Sequence, residues 1–445
     1  MKSKKHTTLY PTFGEILNEI SHILGTKPAY KQNEQFTRNL NKLANEGDFD
    51  YTLLNEMLDK IFKSPFPTDF SDFNHTLRTY GGNLIDYYIG ILREIPLDGF
   101  SRKESIPWLV EHHACIRLVK FIEACQKNYK PLVANLDLFE SEYPLRTVWI
   151  WIENEFPQFV EFQKQYGGNT SLERKLQRDK EWKWKNGKHI PDNETLWGKH
   201  GLLTQFYEKK NINHYGISLV NETVFFAKFL QQFLKNTSSF NTFENLQKMS
   251  RNQYIHQSDY SILKQYLPHS ENEVIGEAET YLCAVDDLRK RLINAEIICR
   301  SEKDDIHEII MLAEREVDRL EGYNPHCWHI SRFHGMWYVL FMEDLEKAIP
   351  HYKEAVRGVV YSGDNLRTQK ILKEALTLCC TAYLEGIKTV EEKTLRPFLT
   401  KLKNQAIALG GYEDCVSEGK KISDNEILFW KNKYKECFRK VWNDQ

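Results

Sequence analysis

Apolar residues return every three or four positions along most of this chain, the period of a helix with one buried face. Phe13, Ile16, Ile20 and Leu24 make one such stripe, Leu54, Met57 and Ile61 a second, and Ile306, Ile310, Ala313, Val317 and Leu320 a third. Runs that alternate at period two for more than four residues are scarce, so the pattern predicts an all-α fold. Helices are expected over 219–235 (LVNETVFFAKFLQQFLK) and 243–265. A closing helix is announced by Ser423 and Glu426, spaced as in a capping box, with Ile422 and Ile427 placed to staple its start.

The pattern lapses between Lys164 and His200, where Gly-Gly, Asn-Gly and Pro turn signals surround charged residues with few aliphatics. This divides the chain into an N-terminal helical region (1–163), a polar, basic linker or insertion (164–200), a helical bundle in the middle (201–302) and a C-terminal region of four or five helices (303–445). In the last, Ala348, Tyr352 and Ala355 have small-aromatic-small spacing. That spacing resembles the second helix of a tetratricopeptide repeat, where small residues let two helices approach. Thirty-four residues on stand Ala382 and Gly386 without the aromatic. The region therefore reads as a helical-repeat-like array of hairpins with no sustained period. Pro350 falls inside the expected helix, where an interior proline costs about 3 kcal/mol, so a kink or break is expected there.

Composition narrows the function classes. With 445 residues, 41% of them hydrophobic and 27% charged, the chain can bury cores without staples. A formal net charge of -2 means that any nucleic-acid partner must be held by a local basic patch. No run approaches the roughly 18–20 apolar residues of a membrane span and the start has no apolar signal-peptide core, so no membrane association and a cytoplasmic location are expected. The 9 cysteines are scattered without a CxxC pair, as suits reduced thiols; Cys379 and Cys380 fall on a strongly apolar helix and read as core. His326, Cys327, His329 and His334 cluster, but the other candidate group, His112, His113 and Cys115, lacks ligand spacing, so no metal is predicted. GxxxxGK[ST], GxGxxG, GxSxG and HExxH are absent, and no cofactor is predicted.

One motif could carry chemistry. The stretch LQKMSRNQYIH contains Arg251, Asn252 and His256, an R-N-x3-H pattern, with Leu246, Met249, Tyr254 and Ile255 at the apolar positions. On a helix Asn252 and His256 share a face and Arg251 stands one position aside, so the three can converge on one phosphate. The pattern resembles the active-site signature of HEPN domains, helical bundles found in RNA-cleaving toxins and defence proteins. The resemblance covers the motif and its helix. It implies metal-independent RNA cleavage, with His256 as general acid or base, Arg251 stabilising charge on phosphorus and Asn252 orienting His256 or the phosphate. In that family two such helices face each other. Arg300 with His307 and Arg319 with His326 lack the asparagine and have wider spacing, so a homodimer is the arrangement implied.

The best candidate RNA contact is EWKWKNGKH, where Trp182 and Trp184 alternate with Lys183 and Lys185. Aromatics interleaved with cations can stack bases and neutralise phosphates; the same residues also read as a solvated loop or a short edge strand. The rival reading of the whole chain is a non-catalytic helical scaffold that binds a protein through its C-terminal helices, around Trp337, Tyr338 and Tyr352. A polar helix edge is the ordinary reading of Arg251, Asn252 and His256.

Overall fold

A computed structural model describes residues 8–24, 34–35, 38–39, 51–62, 71–95, 102–128, 141–166, 170–251, 303–319, 327–363, 365–386, 390–409 and 421–433. Every regular element among them is helical, and no strand occurs among the described residues, as the helical period predicts. None of the described helices is long and apolar enough to cross a membrane.

The N-terminal part comprises α1 (Phe13–Leu24), α2 (Tyr51–Phe62), α3 (Ser71–Glu94), α4 (Arg102–Leu109), a π-helical turn (Val110–Cys115) and α5 (Ile116–Asn128). Next come α6 (Pro144–Glu155), α7 (Pro157–Gln165), α8 (Ser171–Lys185), α9 (Asn193–Trp197) and α10 (Leu202–Lys210). The long α11 (His214–Asn236) then runs through this assembly, packing on α6 and on α1. It is buried without a break from Val220 to Gln231, apolar and polar residues alike. Three of its buried polar side chains tie it to neighbouring helices. Asn221 accepts from Trp197 Nε1 (2.8 Å) and the Tyr207 hydroxyl (2.5 Å), Gln231 accepts from the backbone N–H of Leu145 (3.0 Å), and Lys228 donates to Asn193. These bonds fix α6, α9 and α10 to α11, as buried polar groups must be satisfied.

The stretch 164–200, which the polarity marks as a linker or insertion, forms α8 and α9, with α8 packed on α6 and α7. A capping box starts α8: Glu173 N–H donates to the Thr170 hydroxyl at 3.2 Å, and Thr170 N–H donates to the Glu173 carboxylate at 3.0 Å. Only Glu181 and Trp184 of α8 are buried, so the helix needs almost no aliphatic residues and its pattern reads as polar.

After a short 3₁₀ turn (Ser238–Phe240) follows α12 (Thr242–Arg251). Among the described residues the C-terminal array holds α13 (Lys303–Arg319), α14 (Cys327–Leu340), α15 (Leu345–Val360), α16 (Asn365–Leu384), α17 (Glu392–Ala408) and α18 (Asp424–Lys433), already one helix beyond the upper expectation. Among the described helices the most extensive pairing is α14 with α15. Glycine permits it: a Cβ on Gly335 would lie 3.0 Å from the Tyr352 ring, and one on Gly358 would lie 2.6 Å from Trp328 Cβ. Ala348, Tyr352 and Ala355 are all fully buried, as their spacing predicts for close helix packing. Pro350 does not break α15; it sits on the exposed face, where water can satisfy the carbonyl that its missing N–H leaves. The box at α18 forms as expected, with Ser423 N–H donating to Glu426 (2.7 Å), Glu426 N–H donating to the Ser423 hydroxyl (3.3 Å), and Ile422 and Ile427 buried.

An N-terminal strap joins the two halves. Tyr10 N–H donates to the Tyr361 carbonyl (2.9 Å), its hydroxyl donates to the Ile95 carbonyl (3.2 Å), and Ser105 donates to the Leu9 carbonyl (2.6 Å). Gly363 completes this junction with a left-handed φ of 79°, and a Cβ there would overlap the Ile95 carbonyl. Gly386 has a similar φ of 71° but open space around it. Gly363→Ala is therefore expected to cost about 2–5 kcal/mol, conformational strain plus a backbone clash, whereas Gly386→Ala should cost only the strain, about 1–2 kcal/mol. Urea unfolding of the two variants checks the difference, and equal losses would show that the junction yields freely.

Candidate functional site

Arg251 is the last residue of α12; Asn252 and His256 lie outside the described residues, as does the remainder of the expected 243–265 helix. Asn241, in a left-handed conformation, ends the preceding turn, and the Thr242 hydroxyl donates to the Thr237 carbonyl at 2.7 Å to fix the start of α12. Leu246 and Met249 are buried, as the motif's apolar positions predict, while Glu244 and Lys248 are exposed. The helix packs on the π-turn and on α5.

The candidate RNA-contact residues separate. Residues two apart on a helix point about 200° apart, so Trp182 and Trp184 cannot present one stacking surface. Trp182 is 52% exposed, with Lys188 Nζ 4.5 Å above its ring, and Lys183 is exposed beside it. Trp184 is 2% exposed and packs edge-to-face on Trp149, with ring centroids 6.1 Å apart. Lys185 is ion-paired with Glu153. The helix also excludes the edge-strand reading. Below it, Glu181 accepts from Gln163 Nε2 (3.1 Å) and Gln177 Nε2 (3.0 Å), and burial pushes its carboxyl up to about 7.

The surface expected around Trp337, Tyr338 and Tyr352 does not form as drawn. Tyr352 is fully buried against Gly335 and Trp337 is buried against His307, leaving Tyr338 half-buried. Cys379 and Cys380 are core residues, their thiols pushed up by burial. Of the histidine-rich segments, Cys327 is buried, His329 stacks on Trp328, and His112 lies against Trp108. His326 lies outside the described residues. No group of three His, Cys, Asp or Glu able to hold a metal occurs among the described residues.

Two features were missed by the sequence. The first is a histidine cluster across α13, α14 and α15: His334 stacks on His351 (centroids 5.0 Å) and meets His307 edge-on (6.1 Å), with Glu314 3.3 Å from His334 Nε2. Burial and the nearby His334 lower His351 to about 4. The second is a half-open apolar cavity of about 450 Å³ between α1, α3, α4, the π-turn and α11. The π-turn carries its polar floor. His113, 8% exposed, lines the cavity beside Tyr88, and burial, helped by Arg117, lowers its imidazole to about 3. Glu15, Glu19 and Arg102 stand at the rim. Arg102 donates to Glu15 (2.7 Å) and to the Thr8 carbonyl (2.9 Å). π-Turns recur at functional sites because the inserted residue re-aims the side chains around it.

His113 also makes a pH prediction. Its folded pKa is depressed, so the stability it confers is complete above the unfolded imidazole value of about 6.5 and is lost as pH falls toward 3. Between pH 6.5 and 5 that loss is about 2 kcal/mol. Glu181 acts oppositely, since its raised pKa favours the folded state as pH falls from about 7 toward the ordinary carboxyl range. The observable is thus a difference: His113→Phe should remove about 2 kcal/mol of acid sensitivity from urea unfolding between pH 6.5 and 5, and an unchanged pH slope would refute the assignment.

No protein-family model matches the chain, no curated protein matches it, and no solved structure matches it.

Proposed function

We propose that this chain is a metal-independent endoribonuclease of HEPN type that acts in the cytoplasm, in a toxin or phage-defence setting. The observation that carries the reading is the R-N-x3-H run from Arg251 to His256, which begins on an amphipathic helix whose apolar side is buried. His256 takes the proton from the ribose 2′-hydroxyl or delivers one to the departing 5′-oxygen. Arg251 holds the non-bridging oxygens as charge builds on phosphorus, and Asn252 orients the imidazole or the phosphate. Two copies of the chain supply the paired helices. Trp182, Lys183 and Lys188 provide an exposed aromatic and cationic contact for the RNA strand, while Trp184 and Lys185 support it from the α8 packing side.

The test is incubation of purified protein with mixed tRNA and messenger RNA in EDTA, with the product ends mapped. Products ending in 2′,3′-cyclic phosphate are expected. A folded, dimeric protein that leaves all RNA intact, alone and with candidate partners, would overturn the nuclease reading in favour of the non-catalytic helical scaffold.

A further inference from the structure

The cavity beside the π-turn has the features of a ligand site. Its volume of about 450 Å³ falls in the range of small-molecule pockets, and Ile20, Ile23, Leu77, Leu84, Val110 and Phe229 give it apolar walls. Its distinctive element is His113, more than nine-tenths buried on this lining, whose imidazole makes no hydrogen bond to any described residue. Desolvation keeps the ring neutral at physiological pH, so it offers one N–H donor and one nitrogen acceptor.

The charges at the rim decide what the ligand cannot be. At the rim Arg102 is already committed to Glu15 and the strap and the exposed Glu19 adds a second carboxylate, while Arg117, whose charge acts on His113, is held over the Tyr87 ring and does not line the cavity, so an anionic head would meet net negative charge at the rim. A cationic head at His113 would sit beside a neutral imidazole among apolar walls, repelled by the Arg117 charge that already acts on that ring, so its desolvation cost is not offset there.

We propose that this cavity binds an uncharged, largely hydrocarbon or aromatic molecule bearing a single hydroxyl or carbonyl group, with that group hydrogen-bonded to His113 and the apolar body lying between α1, α3 and α11. The inference is independent of the nuclease reading and needs no RNA.

The probe is N-phenyl-1-naphthylamine, neutral and aromatic with one N–H, added to the full chain at pH 7.5 and followed by its fluorescence. Saturable binding of one probe per chain is expected, displaced by 1-octanol but not by octanoate or octylammonium. Leu84→Trp and Ile20→Trp fill the cavity from opposite walls, and each should weaken binding at least about tenfold. His113→Phe keeps the ring volume and removes the polar atoms, so it should weaken 1-octanol about 3- to 10-fold relative to octane, the size of one net hydrogen bond. Absence of saturable binding by the folded wild type, or wild-type affinity in both tryptophan variants, would overturn the site. Displacement by octanoate or octylammonium at or below the octanol concentration would overturn the ligand class. An equal loss for octanol and octane in His113→Phe would overturn the role of the imidazole.

Discussion

His256→Ala is expected to lower the rate of RNA cleavage by about 10²- to 10⁴-fold, the usual contribution of one positioned proton-transfer group. Arg251→Ala should cost a comparable factor, since a guanidinium meets two non-bridging oxygens at once as their charge grows. Lysine is no substitute for that planar fork, so Arg251→Lys should recover only part of the loss. Groups acting on one transition state are not additive: the double variant should cleave little more slowly than the poorer single variant. The measurement is single-turnover cleavage in EDTA, with circular dichroism to show that each variant keeps its helices. Wild-type rates in both single variants would assign the cleavage to other residues and return Arg251, Asn252 and His256 to the role of a polar helix edge.

The second large effect concerns stability. Arg332 on α14 donates through Nε to Glu374 on α16 at 2.8 Å and through Nη2 to the other carboxylate oxygen, with the two side chains 3% and 8% exposed. Truncating one member of such a pair leaves the other charge buried and unpaired. Arg332→Met or Glu374→Leu should therefore cost about 3–5 kcal/mol. Replacing both at once removes the desolvated charges together and should return most of that loss, which a double-mutant cycle in urea would read as a coupling of about 2–3 kcal/mol. Additive losses would mean that apolar packing, and not the ion pair, holds α14 against α16.

The helical character of the chain was legible because a helix writes its buried face into the sequence at its own period. The stripe from Leu54 to Ile61 is buried as its spacing implies, and so is the one from Ile306 to Val317. Local chemistry was legible for the same reason: Ser423 and Glu426 cap α18 through bonds spanning three residues, which need no distant partner. The α14 and α15 packing was half legible, since Ala348, Tyr352 and Ala355 are small, large and small in one helix, but the glycines that receive them or pack beside them are recognised only once the helices are paired.

Long-range placement decided the rest. Polarity around Lys164–His200 reads as linker because sequence statistics weigh every residue, whereas α8 is held by one buried tryptophan and one buried carboxylate. Trp182 and Trp184 have the same neighbours in sequence and opposite surroundings in space, since only the helix phase and the position of Trp149 determine which ring is covered. The inward phase of Phe13 and Leu17 leaves Ile16 and Ile20 to line a cavity that elements from α1 to α11 enclose together. His113, His307 and His351 are lowered chiefly by desolvation, which depends on the helices packed over them and not on their immediate neighbours in sequence. By itself, then, the sequence determined helix class, caps and the candidate catalytic run, all set by interactions within a few residues. The tertiary structure alone decided which polar groups lost their water, because burial is a property of what packs against a residue from elsewhere in the chain.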